Sequence, residues 1–204
     1  MANSTEKEEL IQEQVVRAAQ QLYQQYGLQK VTMDDVAKAV GKGKSSLYYY
    51  YKSKEEIFDA VINVEIEEIL AEVAQAVSKV ESLEEKIQAF CMAKFKISRK
   101  RKATFNVMDL VLSADEVGSL ARSRPAVREI YRKQERSFFK EILTAAVGNG
   151  EIRAIDKKEM DTLVYVMLAS FRGLKREFVE ENNRKSEEAA ARTISMLLMN
   201  GLKK

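Results

Sequence analysis

Lys44, Ser45, Ser46 and Leu47 lead into four consecutive tyrosines, Tyr48 to Tyr51. An ammonium, two hydroxyls and several phenols on one short stretch, with no carboxylate from Val36 to Ser53, are groups suited to phosphates and base edges. Lysine reaches phosphate or guanine, serine pairs with several edges, and ring faces meet thymine methyls. The same composition would also serve a tyrosine-rich packing or protein-interaction surface. Helical geometry separates the roles. Successive residues turn by about 100°, so Leu47 and Tyr51 share one face, taken as the core face. Lys44 then stacks with Tyr48, Ser45 with Tyr49 and Ser46 with Tyr50, on the outward side.

The elements that must hold these residues are legible on either side. Thr32-Met33-Asp34-Asp35 is a capping-box pattern, a hydroxyl at the cap and a carboxylate three residues on. Met33, Val36, Ala37 and Val40 give a short helix one apolar face. Gly41-Lys42-Gly43 supplies the turn: Gly41 can take positive φ, and Gly43 can be the next N-cap, though a less favoured one than serine. Two short helices joined by such a turn make a helix-turn-helix. Ser53-Lys54-Glu55-Glu56 is a second S-x-x-E box opening a further helix. Lys54, at that helix's first position, opposes the macrodipole by a few tenths of a kcal/mol. A phosphate placed there would reverse the sign.

The runs VVRAAQQLYQQYG, TMDDVAKAVG and KSSLYYYYKSKEE, between Val15 and Ile57, resemble the DNA-binding domain of TetR/AcrR-family transcriptional regulators. Val15, Ala18, Ala19, Leu22 and Tyr23 match the apolar positions of that family's first helix and Gly27 its terminating glycine. Thr32, Val36, Ala37, Gly41, Leu47, Tyr48, Tyr51 and Lys54 fall at its characteristic positions. The resemblance implies that Lys44, Ser45, Ser46 and Tyr48 lie nearest the bases, and that Thr32, Tyr49, Tyr50 and Lys54 hold phosphates. Three positions depart from the pattern: Lys42 replaces an apolar residue, Gly43 a serine cap, and Tyr50 a frequent histidine. Lys42 is therefore expected to point outward and add a phosphate contact, and the Gly43 cap to leave the recognition helix looser before it binds; Gly43 is counted with the DNA-contact residues.

Other chemistries find little support. Gly43-Lys44-Ser45 ends like a phosphate-binding loop, but Lys38 stands where its first glycine belongs, and the preceding segment is helical. The 204 residues contain no histidine, which removes histidine ligation and histidine-based acid–base catalysis. Cys91 is alone, so an internal disulfide is excluded and a reducing cytoplasm suits the chain. No metal site, cofactor or catalytic constellation is expected, and no enzyme activity. The N-terminus lacks an apolar signal core, and the longest apolar run, near Leu163 to Phe171, is too short for a bilayer. Net charge is only +3, so attraction to DNA must be local. From Arg17 to Lys54, seven Lys/Arg face only Asp34 and Asp35.

One proline, eight glycines and 32% charged residues fit an all-α chain. The expected plan is a three-helix DNA-binding domain over residues 8–54 and a larger helical bundle over 55–204, about nine helices in total. Caps at Ser82, Pro125, Asp156 and Ser186 mark helices of the bundle, with a short apolar helix over Thr104 to Ala114, a loop framed by Gly118 and Pro125, and Gly148-Asn149-Gly150 as a stop. The resemblance implies that this bundle binds a small molecule and dimerises through its last two helices, about 157–183 and 186–201. Apolar residues fit both tasks. Cys91, Phe95, Phe105, Met108, Phe138, Met167 and Phe171 are candidates for the pocket, although helical spacing also suits them to plain core. Leu163, Met167, Leu174, Ile194, Leu197 and Leu198 are candidates for the dimer interface, or for completing a monomer's core. Lys94, Lys96 and Arg99 to Lys102 crowd together without an acid. Such a run is usually a solvated face, and attraction to DNA or a contact with the helix-turn-helix is the functional alternative. Arg172 and Lys175 are placed on the surface, with a contact to an anion as the alternative.

The reading is a sequence-specific, cytoplasmic DNA-binding regulator: a homodimeric repressor released from an inverted-repeat operator in double-stranded DNA by a small-molecule effector, with no membrane partner. A ligand-independent DNA-binding regulator and a helical protein-interaction module are the alternatives.

Overall fold

The computed structural model describes residues 4–102, 125–181 and 184–203. Those residues form eight helices and no strand: α1 Ser4–Tyr26, α2 Met33–Ala39, α3 Lys44–Tyr50, α4 Lys54–Val77, α5 Leu83–Lys102, α6 Pro125–Gly148, α7 Lys157–Glu181 and α8 Arg184–Leu202. The expected all-α plan, with a helix-turn-helix ahead of a helical bundle, is what forms. The helix expected over Thr104 to Ala114, Gly118, and the pocket candidates Phe105 and Met108 lie outside the described residues. The last helix begins at Arg184, two residues before the Ser186 cap read from the sequence. No helix of the described residues is long and apolar enough to cross a membrane.

The chain divides into two compact units; among the described residues the first holds 4–67 and 125–128 and the second 68–102 and 129–203, so α4 is divided between Glu67 and Glu68 and α6 between Arg128 and Glu129. The first unit has its own core. Val15, Val16, Ala19 and Tyr23 on α1 are buried at helical spacing, together with Val36 and Ala37 of α2, Leu47 of α3, and Ile57, Phe58, Val61 and Ile62 of α4. The Tyr23 and Phe58 rings meet edge to face, 6.2 Å between centroids. The first unit takes in α4 as far as Glu67, because the first turns of that helix complete the core beneath the motif.

Glycine stops set the turns. The α2 helix ends in a Schellman motif: Gly41 has φ +64°, its N–H donates to Lys38 O, and Lys42 N–H donates to Ala37 O. A side chain would strain Gly41 through its backbone. Gly150, at φ +72°, ends α6 by the same pattern, with bonds to Val147 and Ala146 carbonyls.

In the second unit α5 packs against α7 and α8. Its core contains Ile87, Phe90, Cys91 and Phe95 of α5, Phe139 and Leu143 of α6, Val164, Leu168 and Phe171 of α7, and Ala191 of α8. Ser82 and Glu85 form the expected capping box, hydroxyl and carboxylate 2.7 Å apart with Glu85 N–H donating back to the serine. Asp156 caps α7 through Glu159 N–H at 2.8 Å. Gln88 Nε2 donates to Ser195 Oγ at 2.9 Å, tying α5 to α8.

Candidate nucleic-acid interface

The interface begins with how α2 and α3 are held. Thr32 and Asp35 close the box read from the sequence: Asp35 N–H donates to Thr32 Oγ1, while Thr32 N–H and its hydroxyl both donate to Asp35 Oδ2, at 2.9 and 2.7 Å. These bonds hold the Asp35 carboxyl below its ordinary range. The Thr32 hydroxyl proton is thus already committed to Asp35, leaving its oxygen no spare donor for a phosphate.

The α3 helix starts at Gly43, which is extended and makes no side-chain cap bond, so its first N–H groups stay available to an acceptor. Leu47 is the anchor, 1% exposed. Around it Lys44, Ser45, Ser46, Tyr48 and Tyr49 are exposed, Lys42 and Tyr50 half-buried, and Gly43 exposed. The helix is therefore rotated as its periodicity requires, with hydroxyls and the ammonium outward and leucine inward. Tyr51 is the C-cap, in extended conformation rather than helical. It is only half-buried, and that burial raises its pKa.

Two neighbours were not read from the sequence, one local and one distant. Lys52 Nζ donates to the Tyr48 and Tyr49 carbonyls at 3.0 and 3.3 Å, satisfying acceptors at the end of α3. Glu8 of α1 accepts a hydrogen bond from the Tyr49 hydroxyl at 3.2 Å, and that bond raises the Tyr49 pKa. A stretch free of carboxylates in sequence thus acquires one in space. The Tyr49 and Tyr50 rings meet edge to face, centroids 5.0 Å apart.

At the start of α4, Ser53 Oγ accepts from Glu56 N–H at 3.3 Å. Glu56 reaches back to Lys52 N–H at 2.7 Å, one residue beyond the cap that a regular box would bond. Lys54 is half-buried. Burial lowers its pKa, opposed by the nearby carboxylates of Glu55 and Asp35. A partly desolvated ammonium at a helix N-terminus gains from an arriving anion.

In the second unit the pocket candidates Cys91, Phe95, Met167 and Phe171 are buried, and Phe138 is half-buried. Phe95 and Phe171 have ring centroids 4.9 Å apart, and Phe90 lies 4.7 Å from Phe139 and 5.7 Å from Phe171. Burial pushes the Cys91 thiol up to about 12. Beside these rings lies a charged group that sequence periodicity did not mark. Lys94 does not join the solvated face expected of the basic run; it is buried, its Nζ bonded to the Tyr131 hydroxyl and, at 2.7 Å, to Glu135 Oε1. Arg172 Nη1 reaches Glu135 Oε2 at 3.4 Å. Two other members of the run are paired, Lys96 with Glu72 at 3.7 Å and Arg99 with the buried Glu187.

The dimer candidates split by exposure. Met167 is buried within its own chain; Leu163, Leu174, Ile194 and Leu198 are half-buried; Leu197 is 64% exposed. Tyr165, Val166 and Met196, absent from the candidate set, are exposed large apolar residues on the same two helices. Their signal in the sequence was two apolar runs, Leu163 to Ala169 and Met196 to Met199, each wider than one helical face.

Comparison with known proteins agrees with this geometry. Residues 15–61 match the model for bacterial regulatory proteins, tetR family. The chain is 24% identical over 191 residues to an HTH-type transcriptional regulator, YhgD, of Bacillus subtilis, covering 92% of this chain and 94% of that one. It is 26% identical over 141 residues to the HTH-type transcriptional repressor KstR2 of Mycobacterium tuberculosis, covering 69% and 68%. The crystal structure of the transcriptional regulator FadR from Bacillus subtilis, in complex with stearoyl-CoA, has the same fold at TM-score 0.60 and 17% identity, over 93% of this chain and 98% of that one. The helix-turn-helix, its caps and the match over residues 15–61 agree: this segment is a DNA-binding domain of the tetR family of bacterial regulatory proteins, and the chain is a DNA-binding transcriptional regulator.

Proposed function

We propose that this chain is a homodimeric repressor that holds an inverted-repeat operator and releases it when a small molecule binds in the second unit. The observation that carries the DNA contact is the exposed row Lys44, Ser45, Ser46, Tyr48 and Tyr49 around the buried anchor Leu47. In this reading Lys44, Ser45, Ser46 and Tyr48 meet base edges in the major groove, while Lys42, Tyr49, Tyr50, Lys54 and the N–H groups after Gly43 take phosphates.

Pairing is supported by two observations. One recognition helix reads a short half-site, which two-fold pairing doubles. On α7 and α8, exposed Tyr165, Val166, Met196 and Leu197 lie among exposed Gly173, Ala189 and Gly201, whose small size lets helices of two copies approach closely. Apolar patches of this kind mark association surfaces, and four such helices make a two-fold bundle.

Repression follows the M. tuberculosis relative described as a repressor, and ligand control follows the FadR fold, which holds stearoyl-CoA. A ligand releases DNA only by binding the DNA-incompetent state more tightly. The regulator acts in the cytoplasm, where its operator is. Footprinting of the gene's own upstream region, combined with sedimentation of the complex, tests the reading. The expected result is a protected inverted repeat carrying two copies, and a Leu197→Glu variant that sediments as a monomer and protects the repeat poorly. A single copy protecting one half-site would overturn the pairing.

A further inference from the structure

We propose that the effector is an apolar monocarboxylic acid, and that Lys94, Tyr131 and Arg172 of the second unit receive its carboxylate. The proposal rests on the ligand-controlled reading above and names the chemistry of the ligand. Three helices each place an aromatic residue beside a charged one: Phe90 and Lys94 on α5, Phe139 and Glu135 on α6, Phe171 and Arg172 on α7. The rings are in mutual contact, Phe90 with both Phe139 and Phe171. The charges converge on Glu135, whose carboxylate takes Lys94 at 2.7 Å, Tyr131 at 3.3 Å and Arg172 at 3.4 Å. An apolar wall ending in a charged cluster matches a molecule with an apolar body and a polar head.

The charge balance selects the head. Lys94 and Glu135 are both buried and match each other; Arg172, its side chain 38% exposed, adds one positive charge at the solvent side of the cluster. A monoanion pairs with that excess. A neutral head would leave it, and a cation would enlarge it. Among the described residues, two of the three Lys94 N–H groups have acceptors, Tyr131 and Glu135, leaving the third for an incoming oxygen. The Arg172 side chain is 38% exposed, so the cluster reaches solvent on the arginine side, where a carboxylate can enter without the core opening first. Lys94 also lies over the Tyr131 ring at 4.7 Å and the Phe90 ring at 5.8 Å, which holds the ammonium at the boundary between wall and cluster.

The test needs no operator DNA, so its failure is separate from failure of the DNA-binding reading. Hexanoate, decanoate, palmitate and phenylacetate, each against its methyl ester, are titrated into the full chain by calorimetry and by thermal melting. At least one acid is expected to bind and raise the melting temperature, with its ester at least tenfold weaker. Arg172→Gln should weaken that acid by roughly tenfold, the loss expected for a hydrogen bond to a charged group, while leaving the ligand-free melting temperature near wild type. Lys94→Met should abolish the preference for acid over ester; if it fails to fold, Arg172→Gln alone decides. No binding by any acid, esters binding as well as acids, or undiminished binding to Arg172→Gln would each overturn the proposal. Release of operator by the acid, measured afterwards, links the site to regulation.

Discussion

The Tyr49 hydroxyl donates to Glu8 Oε1 at 3.2 Å, joining α1 to the outward face of α3. A phosphate arriving at Tyr49 meets that carboxylate and must displace it. Glu8→Gln removes the repulsion and leaves a weaker acceptor, so affinity for operator and for nonspecific duplex should rise roughly two- to fivefold, the scale of one exposed charge. Fluorescence anisotropy at fixed salt measures this. Weaker binding by Glu8→Gln would mean that Glu8 itself holds DNA, for example through a cytosine amino group.

Tyrosine-to-phenylalanine changes separate the four consecutive rings. Tyr48→Phe and Tyr50→Phe should weaken DNA binding about two- to tenfold, one hydrogen bond's worth, with unchanged melting temperature. Tyr51→Phe, at the half-buried C-cap, should change binding little. The reverse ranking, read from the same titrations, would mean that the DNA meets a different side of α3.

The Asp35 carboxyl has its pKa lowered by Thr32. A depressed acid stabilises the fold above its unfolded pKa, about 3.9, and that contribution disappears as pH falls through the lower folded value. Asp35→Asn should therefore melt below wild type at neutral pH, and the two curves should converge in acid below about pH 4. A difference that persists unchanged into acid would show that the carboxylate's charge is not what the cap uses.

The Cys91 thiol is fully buried and its pKa stands at about 12, so almost no thiolate exists at neutral pH. Iodoacetamide should leave the native protein unmodified over hours and label it once denatured. Rapid native labelling, followed by mass spectrometry, would contradict this burial.

The parts of the fold legible in sequence were those set by local rules. Thr32–Asp35, Ser82–Glu85 and Gly41 depend on residues within a few positions, and each forms as read. The burial of Leu47 follows from helical period alone. What escaped depends on distant partners. Glu8 is 41 residues from Tyr49, and Lys94 is 41 residues from Glu135. A lysine in a basic run looks solvated until a carboxylate from another helix is placed against it. Tyr51 shares Leu47's face in a continuing helix, but the helix stops there and the ring turns only half inward. Exposed Tyr165 and Val166 were missed because periodicity marks the apolar side facing the chain's own core, and α7 has apolar residues on a second side as well.

In the proposed complex the outward face of α3 reads duplex DNA. The most direct test is anisotropy titration of the protected upstream duplex and a scrambled duplex, across a salt series, with wild type and a Lys44→Ala, Ser45→Ala, Ser46→Ala variant. Wild type should prefer the protected duplex by about a thousandfold or more, with affinity falling steeply as salt rises. The variant should keep its melting temperature and lose most of that preference. Equal affinity of wild type for both duplexes, or an undiminished preference in the variant, would show that Lys44, Ser45 and Ser46 do not read the operator.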